Sequence, residues 1–399
     1  MAMDQTIYRE LRATPGVWQL GVLLLAFIAA AGGAVLYMEH HGHAVTGMTN
    51  QIVWGLPHVF AIFLIVAASG ALNVASIASV FGQAAYKPMA RFSSLLAITL
   101  LAGGLAIVVL DLGRPDRLII AMTKYNFSSI FAWNVLLYTG FMGIVAIYLV
   151  VQMFRRIDYR IVRSAGFVAF LWRLALTTGT GSIFGWLVAR PGYDAAIMAP
   201  MFIAMSFSFG LAMFILVTLV LFRLNDRPVG EELLKRLGRL LGIFAAAVLY
   251  FTAVQHLTNL YATEHGGVER FFLVDGGLYT LLFWGVQVVL GGLVPMALVF
   301  LNPSRSSTVL ASVLVVIGGF AQVYVIVVGG QAYPLEIFPG YEVIEGFHEG
   351  VISPYTPSIW ELMLGLGGVA LALLAAGLGA KVLRVLPTNL SDANIAAKG

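Results

Sequence analysis

The sequence predicts an all-α, polytopic integral membrane protein with ten transmembrane helices. It predicts two four-helix bundles, with the first and last helices peripheral to them. Three observations carry this. Of 399 residues, 60% are hydrophobic and only 11% charged, against about half apolar and a quarter charged in soluble domains. Ten apolar runs reach the roughly 20 residues needed to cross a bilayer. The lysines and arginines fall overwhelmingly on one side of those runs, as membrane topology requires.

The runs lie at about 16–38, 54–82, 93–112, 129–153, 164–188, 197–222, 240–262, 276–300, 307–330 and 358–383. The polar stretch 1–15 precedes a run long enough to span that no small-residue cleavage site closes, so a retained first helix is expected rather than a signal peptide. An even number of spans puts both termini on one side. The other side holds Arg114, Arg117, Lys124, Arg190 and Arg270; Arg173 lies within a span; every remaining lysine and arginine of the 23 falls on the side of the termini. Both termini are therefore expected in the cytoplasm of a bacterial-type inner membrane. Four segments follow: 1–53, a helix and an outer histidine-rich loop; 54–188, the first bundle and the candidate site; 197–330, the second bundle; and 331–399, an outer loop and the last helix.

Composition also excludes. With no cysteine, the chain has no disulfide, cysteine-ligated iron–sulfur cluster or covalent c-type haem. Only His58 and His256 fall inside spans, both near the outer side, so a haem ladder is excluded and no haem is expected. The His40, His41 and His43 cluster lacks an evident fourth ligand and reads as a solvated loop, so no metal is expected. The inner loops are short, no phosphate-binding loop follows a strand, and the scattered basic residues form no nucleic-acid surface. Gly-Gly pairs at 103–104, 291–292, 318–319 and 367–368 read as close helix packing.

Four charged residues fall within the seven of Asp111-Leu112-Gly113-Arg114-Pro115-Asp116-Arg117, at the outer end of the third helix. Charge at a membrane boundary is costly unless paired, hydrated or used. The second helix runs inward from Pro57-His58, so His58 and Asp111 lie at similar depth on consecutive antiparallel helices. A histidine against a buried carboxylate is a good proton donor or acceptor near neutral pH. Quinone chemistry, which moves two protons with two electrons, needs such a group. Arg114 serves either that site or a structural salt bridge to Asp111 or Asp116.

Two further polar sets stand out. Arg173 lies near mid-membrane on the fifth helix, with Thr177, Thr178, Thr180 and Ser182 beyond it. Ser69, Asn73, Ser76 and Ser79 lie three or four apart on the second helix, hence on one face. Arg173, Thr177, Asn73 and Ser76 are candidates for a hydrated proton path from the inner side; interhelical hydrogen bonding is the alternative use. Gln255, His256 and Asn259, near Glu264, His265 and Asp275, read as a second polar pocket or part of an interface, as do Gln322, Tyr324 and Gln331 along the ninth helix.

The outer loops carry their own signal. The first holds Glu39, His40, His41 and His43. The last, 331–357, holds Glu336, Glu342, Glu345, His348 and Glu349 with Tyr333, Phe338, Tyr341 and Tyr355, and neither has a lysine or arginine. Acids interleaved with aromatics suit a docking surface for an outer-side partner.

The helix end Leu110–Arg117, preceded by Gly55-Leu56-Pro57-His58, resembles the NrfD-like family of polysulfide-reductase membrane subunits. Ten spans, the segment 38–43 and the segment 330–336 resemble its larger branch, which serves sulfur-metabolism (Dsr-type) complexes. The resemblance implies a cofactor-free subunit of an oxidoreductase complex that exchanges electrons between menaquinone- or ubiquinone-type quinones and an outer-side, ferredoxin-like iron–sulfur subunit. Further membrane and cytochrome subunits would complete the complex. It implies quinone contacts at His58 and Asp111, with Arg114 beside them; Asp116, at the same level, is placed in the same quinone-binding set with Trp54. Where some members carry an asparagine one turn before the histidine, this chain has Trp54. Two readings from other classes are a secondary transporter or proton channel, which ten spans with midplane polar residues also suit, and a structural anchor for an outer redox module.

Overall fold

The computed structural model describes residues 6–154, 156–334 and 351–393. Ten of its helices are long and apolar enough to cross a membrane: α1 Pro15–His41, α2 Leu56–Ser79, α3 Ala84–Leu110, α4 Ile130–Met153, α5 Tyr159–Gly185, α6 Met198–Leu224, α7 Glu231–Tyr261, α8 Leu278–Leu301, α9 Arg305–Ala332 and α10 Ile359–Val382. The protein is an all-α polytopic membrane protein. At 1.5 Å per residue these helices are about 36–46 Å long, enough for a hydrocarbon core of about 30 Å.

The helices overrun the apolar runs at charged ends. α7 begins at Glu231 rather than near 240, and α3 at Ala84 rather than near 93. Hydropathy marks where a helix meets lipid, not where its hydrogen bonding starts. Glu231 and Glu232 in the first turn suit the positive end of the α7 dipole, and Asp392 accepts from their backbone amides at 3.1 Å each.

α2 packs on α3 and α5, and α4 on α3 and α5; α6 packs on α7 and α9, and α8 on α7 and α9. α2 and α5 also meet α6. α10 lies against α2 and α3, and α1 packs chiefly on α10. Burial follows this order: α2 is almost wholly enclosed, while most of α1 faces outward. Glycines set the closest approaches. A methyl group on Gly318 would strike the Gly291 backbone where α8 crosses α9, and one on Gly70 would strike Ser206 where α2 crosses α6.

No strand is expected from the sequence, yet Tyr8–Arg9 pairs antiparallel with Leu386–Pro387. Around this strap Leu11 donates its amide to Ala380 O at 2.8 Å, and Arg384 Nε donates to Glu10 Oε1 at 2.7 Å. Both ends of the described chain thus meet on one face, here the termini face. Three helical stretches are π-helical: Phe271–Asp275, Leu282–Leu293 in α8 and Val325–Gly329 in α9. Most of the acidic outer loop, including Glu336, Phe338, Tyr341, Glu342, Glu345, His348 and Glu349, lies outside the described residues.

Candidate functional site

His58 and Asp111 come together because α2 begins where α3 ends. Pro57 suits the first turn of α2, where a missing amide costs nothing. α3 stops at Asp111, and Gly113 turns the chain with φ +66°, a conformation that favours glycine. A Cβ there would lie 3.0 Å from His43 Nε2, so one histidine of the first outer loop packs on this turn.

His58 Nδ1 lies 2.9 Å from Asp111 Oδ2. The Asp111 side chain is fully enclosed, while that of His58 is 24% exposed. Despite the short distance, the approach is not aligned as an N–H···O hydrogen bond. Nδ1 and both carboxylate oxygens have no hydrogen-bond partner among the described residues. A buried carboxylate without donors is costly, and a group that supplies a donor relieves it.

Trp54 forms the opposite wall. Its ring stacks with His58, centroids 6.2 Å apart at 28°, and with Tyr193 at 6.3 Å, while Phe131 and Phe184 meet it edge-on at 6.0 Å. The segment leading to it is clamped. Gln331 Oε1 accepts from the amides of Val53 (3.0 Å) and Trp54 (3.1 Å), and Arg190 Nη2 donates to Gln51 O at 2.8 Å. Burial pulls the Arg190 guanidinium below its ordinary value and pushes the Tyr193 phenol up. From the other side, the Tyr355 hydroxyl accepts from Leu56 N and donates to Glu361 Oε1, each at 2.6 Å. Glu361, wholly buried, also accepts from Gly47 N at 2.8 Å and closes a capping box with Ser358. Burial and the Glu361 carboxylate both raise the Tyr355 phenol. Tyr355, expected on a docking surface, is instead an inward brace.

Arg114 and Asp116 stand apart. They form a two-point pair at 3.0 and 3.1 Å with both side chains more than half exposed, and each holds the other charged: Asp116 is lowered and Arg114 raised. Of the two partners open to Arg114, the structure gives Asp116. His41 stacks on Tyr37 at 4.1 Å, and the described residues contain no group of three or more histidine, aspartate and glutamate side chains that could hold a metal.

At mid-membrane, Arg173 and Asn73 converge. Arg173 Nη1 donates to Asn73 Oδ1 and, at 3.1 Å, to Ser69 O; Asn73 Nδ2 donates to Phe207 O at 3.2 Å. Arg173 lies over the rings of Phe170 and Phe207 with its Nε unpartnered among the described residues. Thr177 and Ser76 turn to carbonyls of their own helices, Arg173 O and Leu72 O, and do not reach the guanidinium.

The family model for polysulphide reductase, NrfD, matches residues 44–334. The chain belongs to the NrfD family. It is 29% identical to the Hdr-like menaquinol oxidoreductase integral membrane subunit of Archaeoglobus fulgidus, over 92% of this chain and 93% of that one. It is 28% identical to a protein of Halobacterium salinarum named for the membrane subunit of a dimethyl sulfoxide reductase, over 97% and 95%. It is 24% identical to a polysulfide reductase chain from Wolinella succinogenes, over 71% and 96%.

Sequence reasoning passed over Arg190, Phe131, Phe184, Tyr193 and Glu361. Gln331 was visible only as one polar residue along α9. Glu269 was passed over as well: it pairs with His256 at 2.6 Å, whereas Asp275 pairs with Arg270 at the surface.

Proposed function

We propose that this chain is the quinone-interacting integral membrane subunit of a respiratory or sulfur-metabolism redox complex. It exchanges electrons between the membrane quinone pool and an iron–sulfur subunit docked on the face opposite the termini. One observation carries the reading: a fully enclosed carboxylate, Asp111, with no aligned hydrogen bond among the described residues, facing a partly exposed imidazole, His58, at the membrane boundary. A quinone oxygen brings what this pair lacks. As quinol it donates a hydrogen bond, and on oxidation it releases two protons. His58 takes one through its exposed edge and Asp111, enclosed behind it, takes the other, while both electrons pass to the iron–sulfur partner. Trp54 stacks against the ring, and Arg114 with Asp116 fixes the turn at the rim.

The relatives named as membrane subunits of menaquinol oxidoreductase and polysulfide reductase support this reading. The cysteine-free chain supports routing the electrons to a partner subunit. The helix packing supports two four-helix units, 54–188 and 197–330, with α1 and α10 outside them. The basic bias of the loops supports a cytoplasmic termini face. Arg173 and Asn73, with Thr177 and Ser76 beside them, are the candidates for a proton path from that face.

The test is a titration of the purified complex with a fluorescent quinol analogue, for wild type, His58→Ala and Asp111→Asn. Weaker quenching in both variants, with every subunit still bound, is the expected result. Unchanged binding in both removes the site from this position.

A further inference from the structure

A second histidine–carboxylate pair lies at the same face, in the other half of the molecule. His256, near the far end of α7, places Nδ1 2.6 Å from Glu269 Oε2, and Asn259 Nδ2 donates to Glu269 Oε1 at 2.8 Å. Glu269 is 1% exposed. Unlike Asp111, it has both oxygens hydrogen-bonded. The charged groups nearest in sequence pair among themselves: Arg270 with Asp275 at 2.5 Å, and Glu264 with His265 at 3.9 Å.

Inward from His256 run two small cavities. The first, about 20 Å³, is lined by Thr252, Gln255, His256, Gln287 and Gln322. The second, about 10 Å³, shares Gln287 and Gln322 and reaches Ser208. One water needs about 10–15 Å³ and two to four polar partners. These spaces suit single waters and are far too small for a quinone ring. Gln255 and Gln287, both more than nine-tenths buried, line the first cavity, and neither side-chain amide has a hydrogen-bond partner among the described residues. Gln322 Nε2 donates to Thr252 Oγ1 at 3.3 Å, which leaves its amide oxygen free. Buried amides left unmade are costly, and water satisfies them.

The backbone gives a separate indication. All three π-helical stretches line these cavities, through Phe272, through Gln287, Gly291 and Gly292 on α8, and through Val325 and Ile326 on α9. π-helical turns are rare and concentrate at functional positions.

We propose that this file is a water-occupied proton path, entered at the His256–Glu269 pair on the face away from the termini and reaching Ser208 near mid-membrane. The pair takes a proton from the water at that face and passes it to the cavity water; no redox partner is needed. The file stands on its own geometry, whether or not His58 and Asp111 bind quinone.

Two measurements on the intact complex test it. The first is radiolytic hydroxyl-radical labelling read by mass spectrometry, which reports water held beside buried side chains. Met201 and Met205 lie one turn apart on α6 and are almost equally buried, but only Met201 lines the first cavity. Met201 is expected to label severalfold faster than Met205, and Thr252→Val with Gln287→Leu to abolish the difference. Equal rates in the wild type mean a dry file and overturn the proposal. The second is infrared spectroscopy on moving the complex from H2O to D2O. A band shift in the wild type that persists in Asp111→Asn and vanishes in Glu269→Gln is the expected result. A Glu269→Gln spectrum identical to wild type shows that the pair exchanges no proton and overturns its role. Quinol-analogue binding is expected to survive Glu269→Gln, so failure here is separable from failure of the quinone reading.

Discussion

Gln331 holds the backbone of Trp54 from both sides: Oε1 accepts from the Trp54 amide at 3.1 Å, and Nε2 donates to the Trp54 carbonyl at 3.0 Å. One side chain of α9 therefore sets the aromatic wall opposite His58. Gln331→Leu strands these groups together with Val53 N. Each buried group left unmade costs about 1–3 kcal/mol. A clear fall in melting temperature is expected in detergent, with weaker quinol-analogue binding although His58 and Asp111 are intact.

Arg114 separates two roles. Its guanidinium forks onto Asp116 at the surface rather than onto Asp111. Arg114→Gln is expected to leave analogue binding close to wild type in the titration where His58→Ala weakens it. A loss equal to that of His58→Ala would place the guanidinium on the ligand.

Arg173 is a buried cation whose hydrogen bonds, among the described residues, go to neutral oxygens. Asn73→Leu removes one of these acceptors, and hydrogen bonds to charged groups are worth about 1.5–3 kcal/mol. Arg173→Met removes the charge itself and is expected to be neutral or stabilising. The double variant should then recover most of the Asn73→Leu loss. A double-mutant cycle by denaturant unfolding measures this coupling.

The terminal strap carries a pH dependence of definite sign. The hydrogen bond from Arg384 holds the Glu10 carboxyl below its ordinary value. Its contribution is complete above the unfolded value, about 4.3, and is lost as pH falls through the lower folded value. Protection of the Leu11 amide, read by hydrogen exchange corrected for intrinsic rate, is expected to be level from neutrality to about pH 5 and to drop below about pH 4. Glu10→Gln should remove that dependence.

Much of this was legible in the sequence for a simple reason: a bilayer imposes length and polarity on every span. The ten helices follow from that, and their alternation puts His58 and Asp111 at one depth. Other features carry no such mark. The first two turns of α7 are charged, so hydropathy starts it late. The π-helical turns of α8 and α9 have the same apolar composition as α-helix. Glu269 lies outside every apolar run and reads as solvated, and only the fold of 266–275 against α7 buries it. The brace from Tyr355 to Glu361 and Leu56 links positions about 300 residues apart, which no local pattern reports.

The meeting of the two ends bears on how the protein is made. α1 enters the bilayer before the other nine described spans, but its main packing partner is α10, the last of the ten, and the strap closes only when 386–388 has emerged. Until then most of α1 faces lipid, and it is held to the rest at its start, where Thr14 Oγ1 donates to Leu224 O at 2.9 Å and Arg12 N to Asn225 Oδ1 at 2.7 Å. Polypeptides interrupted before Ile359 should therefore leave most of α1 uncovered and open to membrane proteases, so that the arrival of α10 acts as the molecule's own quality checkpoint.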